Sequence, residues 1–179
     1  MKLPNARFKR IVADAVLVSL DLLVVNDRAE VLVGRCRNRP AKGFLFVPGG
    51  RIQKGESLAA ALERISSAEI GVTLERQDAR LYGIYDHFYA DDAFGETGTG
   101  TQYVVIACLF GIPSFVPQAH DDQHDELRMV PIEELVKHPE AHPYTRNYFS
   151  DDPSNLFLRA HPFSDASILS SRPGTGFGL

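Results

Sequence analysis

Six short runs rich in leucine, β-branched and aromatic residues surround one clear amphipathic helix, and that imbalance does most to limit the fold. The runs are Ala15 to Val25 (AVLVSLDLLVV), Val31 to Val33, Phe44 to Val47, Leu81 to Tyr89, Tyr103 to Phe110 and Glu126 to Val130. Asn26-Asp27-Arg28 supplies turn chemistry between the first two, which predicts a β-hairpin, and Pro48-Gly49-Gly50 stops the third. The helix is Ser57 to Ile70, where Leu58, Ala61, Leu62 and Ile65 recur at helical spacing and Gly71 provides the stop. Asp91 to Gly100, with three glycines, reads as a loop, and Pro131 opens a second helix at Ile132 to Lys137. Leu3 to Asp14 carries Leu3, Phe8, Ile11 and Val12 among charges, a weak pattern for a short helix or arm. The order β-β-β-α-β-β-β-α predicts an α+β fold, a mixed sheet with helices on its faces rather than an alternating doubly wound one.

Composition narrows the class. The chain has 179 residues, 44% apolar and 23% charged, ordinary for one globular domain. At this size about 70% of the unfolded surface is buried on folding, so no disulfide or structural metal is needed. A net charge of -4 argues against a generally basic nucleic-acid binder. Cys36 and Cys108 form no C-x-x-C pair and read as reduced thiols of a cytoplasmic protein. No apolar run approaches the roughly 20 residues of a membrane helix, and no signal-peptide core opens the chain. The domain is expected over 1–150; residues 151–179, mixing Ser, Pro, Gly and isolated aromatics, form an extension that is either wrapped or loosely ordered.

The segment from Gly50 through Glu56 is followed by Arg64, Glu69, Gly71 and Val72. This resembles the Nudix box, G-x5-E-x7-R-E-U-x-E-E-x-G-U with U a bulky apolar residue, and six fixed positions over residues 50–72 fit it. The resemblance implies a Nudix-type α/β/α sandwich around a mixed β-sheet. The departures are Ile65 and Ala68 where the box has glutamates, and Ser66 where it has a bulky apolar residue. In standard members several helix carboxylates hold two or three divalent ions. One carboxylate cannot, because a hard cation needs anionic oxygen to offset its lost water. Glu69 itself continues the apolar stripe of Leu58, Leu62 and Ile65 near the helix C-terminus, where burial and the helix dipole both disfavour a bare negative charge. A bound cation relieves both; a glutamate reaching out to solvent is the alternative.

The remainder is similar to the GDP-mannose mannosyl hydrolases, a Nudix branch whose box lacks the same glutamates. The matching segments are LVSLD (17–21), NRPAKG (38–43), FVPGGRIQ (46–53), AEIG (68–71), HFY (87–89), Tyr103 to Val105 and DQHD (122–125), with a weaker match at Arg146 to Phe149. That branch attacks carbon, not phosphorus: water displaces GDP from the anomeric carbon with inversion. By this resemblance one Mg²⁺ per site is held by the carbonyl of Gly49, Glu69 and the side-chain carbonyl of Gln123, all oxygen donors. His124 is the general base, and an imidazole with a pKa near 6.5 suits that task. Arg51 and Arg64 partner the diphosphate, although Arg64 could instead pair with Glu56. Asp21, His87 and Tyr103 bind sugar hydroxyls or position the site, with hydrogen-bonded core packing the alternative for His87 and Tyr103. Leu3 and Phe8 match positions that contact the nucleotide; Phe8 could equally be a core or interface anchor.

One departure touches the leaving group. The family places an arginine where this chain has Cys36, between Arg35 and Arg37. Side chains alternate in a strand, so these neighbours point to the face opposite residue 36. If the strand ends or bulges there Arg37 swings in as a catalytic cation; otherwise one cationic contact is lost. Arg35 is expected among the substrate-binding residues. The expected partner is a small nucleotide sugar, GDP-mannose or GDP-glucose, with neither nucleic acid nor membrane involved. The expected assembly is a homodimer in which N-terminal segments complete the partner's site. The competing functions are a Nudix pyrophosphatase releasing a nucleoside monophosphate and sugar phosphate, and a non-catalytic nucleotide-sugar-binding module.

Overall fold

A computed structural model of the chain describes residues 4–95, 97–113, 124–150 and 154–160, with the side chains of 97–99 and 124–126 outside the description. Leu3 and Gln123 therefore lie outside the described residues, as does the side chain of His124.

The centre is β1 (Leu17–Val25), which runs parallel to β6 (Thr97–Gly111) over nine registered positions, from Leu17 opposite Tyr103 to Val25 opposite Gly111. Layers on both sides bury this strand, which explains its near-continuous apolar run. Leu23 and Val25 enter one core with Val31, Val33, Tyr85, Val105, Leu135 and Tyr148. Leu20, Leu22 and Val24 enter the other with Leu32, Leu62, Ile65, Ile70 and Phe110. The helix α2 (Leu58–Ile70) covers this second core. Gly71 ends it as expected, in the left-handed region at φ 77°, and Ser57, just outside the helix, caps its start by accepting a hydrogen bond from the Ala60 N–H at 3.1 Å. An N-terminal helix α1 (Asn5–Asp14) precedes the sheet.

Several expectations need correction. The predicted β1–β2 hairpin exists only at its turn, where Val25 opposes Val31 and the Asn26 side chain accepts from the N–H groups of Arg28 and Glu30. Beyond it β2 (Glu30–Cys36) diverges to pair with β3 (Leu45–Phe46) and β7 (His124–Pro131), because Gly49–Arg51 inserts beside β1 as a strand of its own, β4. The Pro48-Gly49-Gly50 stretch is thus a strand entry rather than a simple stop. The loop expected over Asp91 to Gly100 is shorter, since β5 (Arg80–Asp91) and β6 form a long antiparallel hairpin registered as far as Asp91 opposite Thr97. The helix expected over Ile132 to Lys137 is a single turn, α3 (Ile132–Leu135).

Besides β4, the sequence did not reveal α4 (Pro143–Tyr148) or β8 (Leu156–Arg159), which adds to the outer edge of β5. The result is a mixed eight-stranded sheet with helices packed on it, of the α+β class. Among the described residues no helix is long and apolar enough to cross a membrane.

Candidate active site

The loop between β4 and α2 is pinned by an ion pair. Arg64 Nε lies 2.6 Å from Glu56 Oε1 and its Nη2 lies 2.8 Å from Oε2, while the same Nη2 donates to the Arg51 carbonyl at 3.0 Å. The Gln53 N–H adds a further bond to Glu56 at 2.9 Å. The guanidinium contact, foremost, pulls the Glu56 carboxyl down to about 2, and Glu56 in turn raises Arg64. Of the two uses expected for Arg64, the pairing with Glu56 is the one seen here. It ties the glycine-rich turn to the second turn of α2.

Glu69 is 3% exposed, on the face of α2 that carries Ile65 one turn earlier. The other end of this region is Gly49, registered opposite Asp21. A Cβ on Gly49 would fall 2.7 Å from Asp21 Oδ1 and 2.8 Å from the Leu20 carbonyl, so no side chain fits. Gly50 is nearly as tight, 3.2 Å from Ile65. The strand β4 therefore lies pressed between β1 and α2, with the buried Asp21 carboxylate at the first contact and the buried Glu69 on α2 one turn beyond the residue that makes the second. Such oxygen donors match a hard divalent cation in kind. Ser66 is also explained: fully buried, its hydroxyl accepts from the Leu74 N–H at 2.9 Å and donates to the Glu63 carbonyl at 3.2 Å. It staples the chain after the helix instead of filling the core.

Behind Asp21 lies an aromatic and histidine cluster assembled by β5, β6 and α4. Tyr148 donates to Asp21 Oδ2 at 2.6 Å and stands 3.3 Å from His87 Nε2. His87 is 2% exposed, stacked on Tyr144 at 4.0 Å between centroids with planes 7° apart, and edge-on to Phe46. Tyr89 touches His87, Tyr103, His142 and Tyr144. Burial pushes His87 down to about 3 and His142 to about 4, so both are neutral near pH 7, and it raises the Tyr103 hydroxyl. Tyr148, Tyr144, Tyr89 and His142 were not singled out from the sequence. The usable signal was Pro143, which opens α4 as Pro131 opens α3, with His142 capping it.

The cationic residues are spread more widely. Arg51 lies under the Phe8 ring at 4.0 Å, and Phe8 meets Phe94 edge-on at 5.9 Å, so α1 folds over the mouth of the β4 turn. Arg35 donates to the Gly43 carbonyl at 2.7 Å and pairs with Glu140 at 2.8 Å. The strand β2 is irregular between Val33 and Arg35 and ends at Cys36, leaving Arg37 exposed just beyond it. Cys36 packs on the aromatic core and is registered opposite His124. Backbone pairing therefore brings the residue in the family arginine's place alongside the expected base.

A family model described as the NUDIX domain matches residues 17–151. The chain belongs to the Nudix family. The low-salt glycan biosynthesis protein Agl8 of Haloferax volcanii is 34% identical over 149 residues, 82% of this chain and 88% of that protein. Among solved structures, a MutT Nudix hydrolase from Burkholderia pseudomallei aligns with a TM-score of 0.61 at 25% identity over 75% of this chain and 96% of that one. The Nudix domain of Shewanella oneidensis NrtR, solved with ADP-ribose, aligns at 0.58 and 17% identity over 82% and 96%, a likeness of fold.

Seen as a Nudix box, the β4–α2 segment keeps its scaffold and has lost carboxylates. Gly50, Glu56, Arg64 and Gly71 perform their structural tasks, whereas Ile65 is 1% exposed in the α2 core and Ala68 is exposed. Among the described residues no group of three or more His, Cys, Asp or Glu side chains is arranged to hold a metal ion.

Proposed function

We propose that this Nudix protein is a Mg²⁺-dependent hydrolase of GDP-mannose, with GDP-glucose a second candidate, releasing GDP and the free sugar by water attack at the anomeric carbon with inversion. The observation that carries this reading is the burial of Ile65 in the α2 core, where the box has a glutamate. A helix that offers one buried carboxylate, Glu69, is poorly suited to the several ions that direct water onto phosphorus. Attack at carbon needs less of a metal, which has only to offset negative charge on the departing diphosphate while the sugar itself carries the positive, oxocarbenium-like charge. The relative named for glycan biosynthesis supports an activated sugar as substrate.

Nudix hydrolases work with divalent metals. Here the Gly49 carbonyl, Glu69 and Gln123 would hold one ion, and the close approach of Gly49 to Asp21 and the burial of Glu69 fit it. When bound, a divalent ion offsets charge on the leaving diphosphate. His124 takes the proton of the attacking water at its imidazole nitrogen, a positioned-base effect of roughly 10² to 10⁴ in rate. Arg51, steadied by Phe8, supplies cationic hydrogen bonds to phosphate oxygens, joined by Arg37 beyond the end of β2. Arg64 works mainly through Glu56, keeping the β4 turn in place. Asp21 and Tyr103 face the sugar, Phe8 meets the base beside Arg51 of its own chain, and Leu3 serves the site across a homodimer interface.

Hydrolysis of GDP-mannose in ¹⁸O-water tests this directly. Label in mannose is the expected outcome. Label in a phosphate would assign the protein to the pyrophosphatases, and tight GDP-mannose binding with no turnover in excess Mg²⁺ would make it a binding module.

A further inference from the structure

The Tyr148 hydroxyl has one proton and two polar neighbours. It donates that proton to Asp21 Oδ2 at 2.6 Å, so toward His87 Nε2, 3.3 Å away, the same oxygen can only accept. Nε2 must therefore carry the imidazole hydrogen. A neutral ring then leaves Nδ1 as an acceptor, and Tyr89, 3.5 Å from it, is the donor. Burial keeps the ring neutral, holding His87 near 3. Three links thus run in one sense, from Tyr89 through His87 and Tyr148 to the Asp21 carboxylate. The ring plane is fixed independently: Tyr144 stacks on it at 4.0 Å, and the Tyr144 hydroxyl donates to the Phe88 carbonyl at 2.7 Å while accepting from the Phe88 N–H at 2.8 Å.

Phenylalanine would fill the same space at 148, since the ring packs edge-on against Tyr85 at 4.7 Å. What phenylalanine lacks is the hydroxyl, which stands between His87 and Asp21. We infer that Tyr148 is a positioning residue for the sugar end of the site: its hydroxyl fixes His87 as the Nε2–H tautomer and holds Asp21 by one oxygen, leaving the other, Oδ1, against the Gly49 turn. The functional half of this inference rests on the reading that Asp21 serves the substrate; the tautomer does not.

Long-range ¹H–¹⁵N correlation spectra of the full chain report which nitrogen of His87 carries hydrogen. In the wild type we expect Nε2–H. Tyr148→Phe removes the acceptor at Nε2, and the ring should shift toward Nδ1–H. Its kcat on GDP-mannose should fall about tenfold with KM little changed, the scale of one hydrogen bond to a charged group. Tyr89→Phe removes only the donor at Nδ1 and should leave Nε2–H in place, so it tests the chain even if Tyr148→Phe fails to fold. A wild-type ring protonated at Nδ1, an unchanged tautomer in Tyr148→Phe, or a tautomer that flips in Tyr89→Phe would each overturn the assignment. A folded Tyr148→Phe with unchanged kcat would overturn the positioning role. If the wild type leaves GDP-mannose untouched, the substrate reading fails while the spectra still decide the chain.

Discussion

Glu56 meets three donors at once, two from Arg64 and one from the Gln53 backbone, and its acidity follows from that convergence. A carboxyl lowered from 4.5 to about 2 in the folded state stabilises the fold fully above the unfolded value. That contribution is lost as pH falls through the folded value, so acid unfolding should draw on it between about pH 4.5 and 2. Glu56→Gln should flatten the stability profile in this window, measured by urea midpoints at several pH values. At Gly49 the conflict is steric. Gly49→Ala places a methyl 2.7 Å from Asp21 Oδ1 and 2.8 Å from a backbone carbonyl, neither of which yields cheaply. Loss of activity together with a melting temperature lower by several degrees is expected, at a cost of about 1–3 kcal/mol. Cys36→Arg should have the opposite sign on turnover. If the missing arginine limits expulsion of the diphosphate, kcat rises; no increase means that another arginine already fills the role.

At the scale of elements, α2 and α4 show why one was legible and the other was not. The longer helix α2 declares itself through Ser57, the spacing of Leu62 and Ile65, and Gly71, all local signals. Gly71→Ala forces a side chain into φ 77° and should destabilise by about 1 kcal/mol, seen as a lower urea midpoint with unchanged slope. The short helix α4 has six residues, too few to show a period, and its burial of Tyr148 against Tyr85 and Asp21 depends on strands far away in sequence. The same distance hid β4, whose pairing to β1 is set by the space that Gly49 and Gly50 leave rather than by strand-forming residues. Of the candidate site, Glu69, Asp21 and the Glu56–Arg64 pair could be read because a charge within an apolar stripe or a fixed spacing marks them. In the histidine and tyrosine layer behind Asp21, His87 and Tyr103 were marked by the family resemblance alone and Tyr89, His142, Tyr144 and Tyr148 not at all, since each member alone is ordinary core. That layer makes a prediction of its own. His142 is lowered from 6.5 to about 4, so between these values the unfolded chain binds its proton first and stability falls as pH drops. His142→Gln should reduce that slope in thermal unfolding.

For the whole molecule, the edge strand β8 closes a side of the sheet that would otherwise end at β5. Leu156 packs on the first core, and Arg159 donates to the Ser150 carbonyl at 3.2 Å. Truncation after Ser150 should lower the melting temperature and promote association through the bared β5 edge, read by light scattering. The central seam has a longer reach in time than in space. Because Leu17 to Val25 finds its parallel partner only in Tyr103 to Gly111, a nascent chain leaving the ribosome must hold one edge of its most water-averse stretch unpaired until β6 has been made. Refolding from denaturant faces the same wait as a slow search, and the cell's chaperones would meet this protein through its first strand.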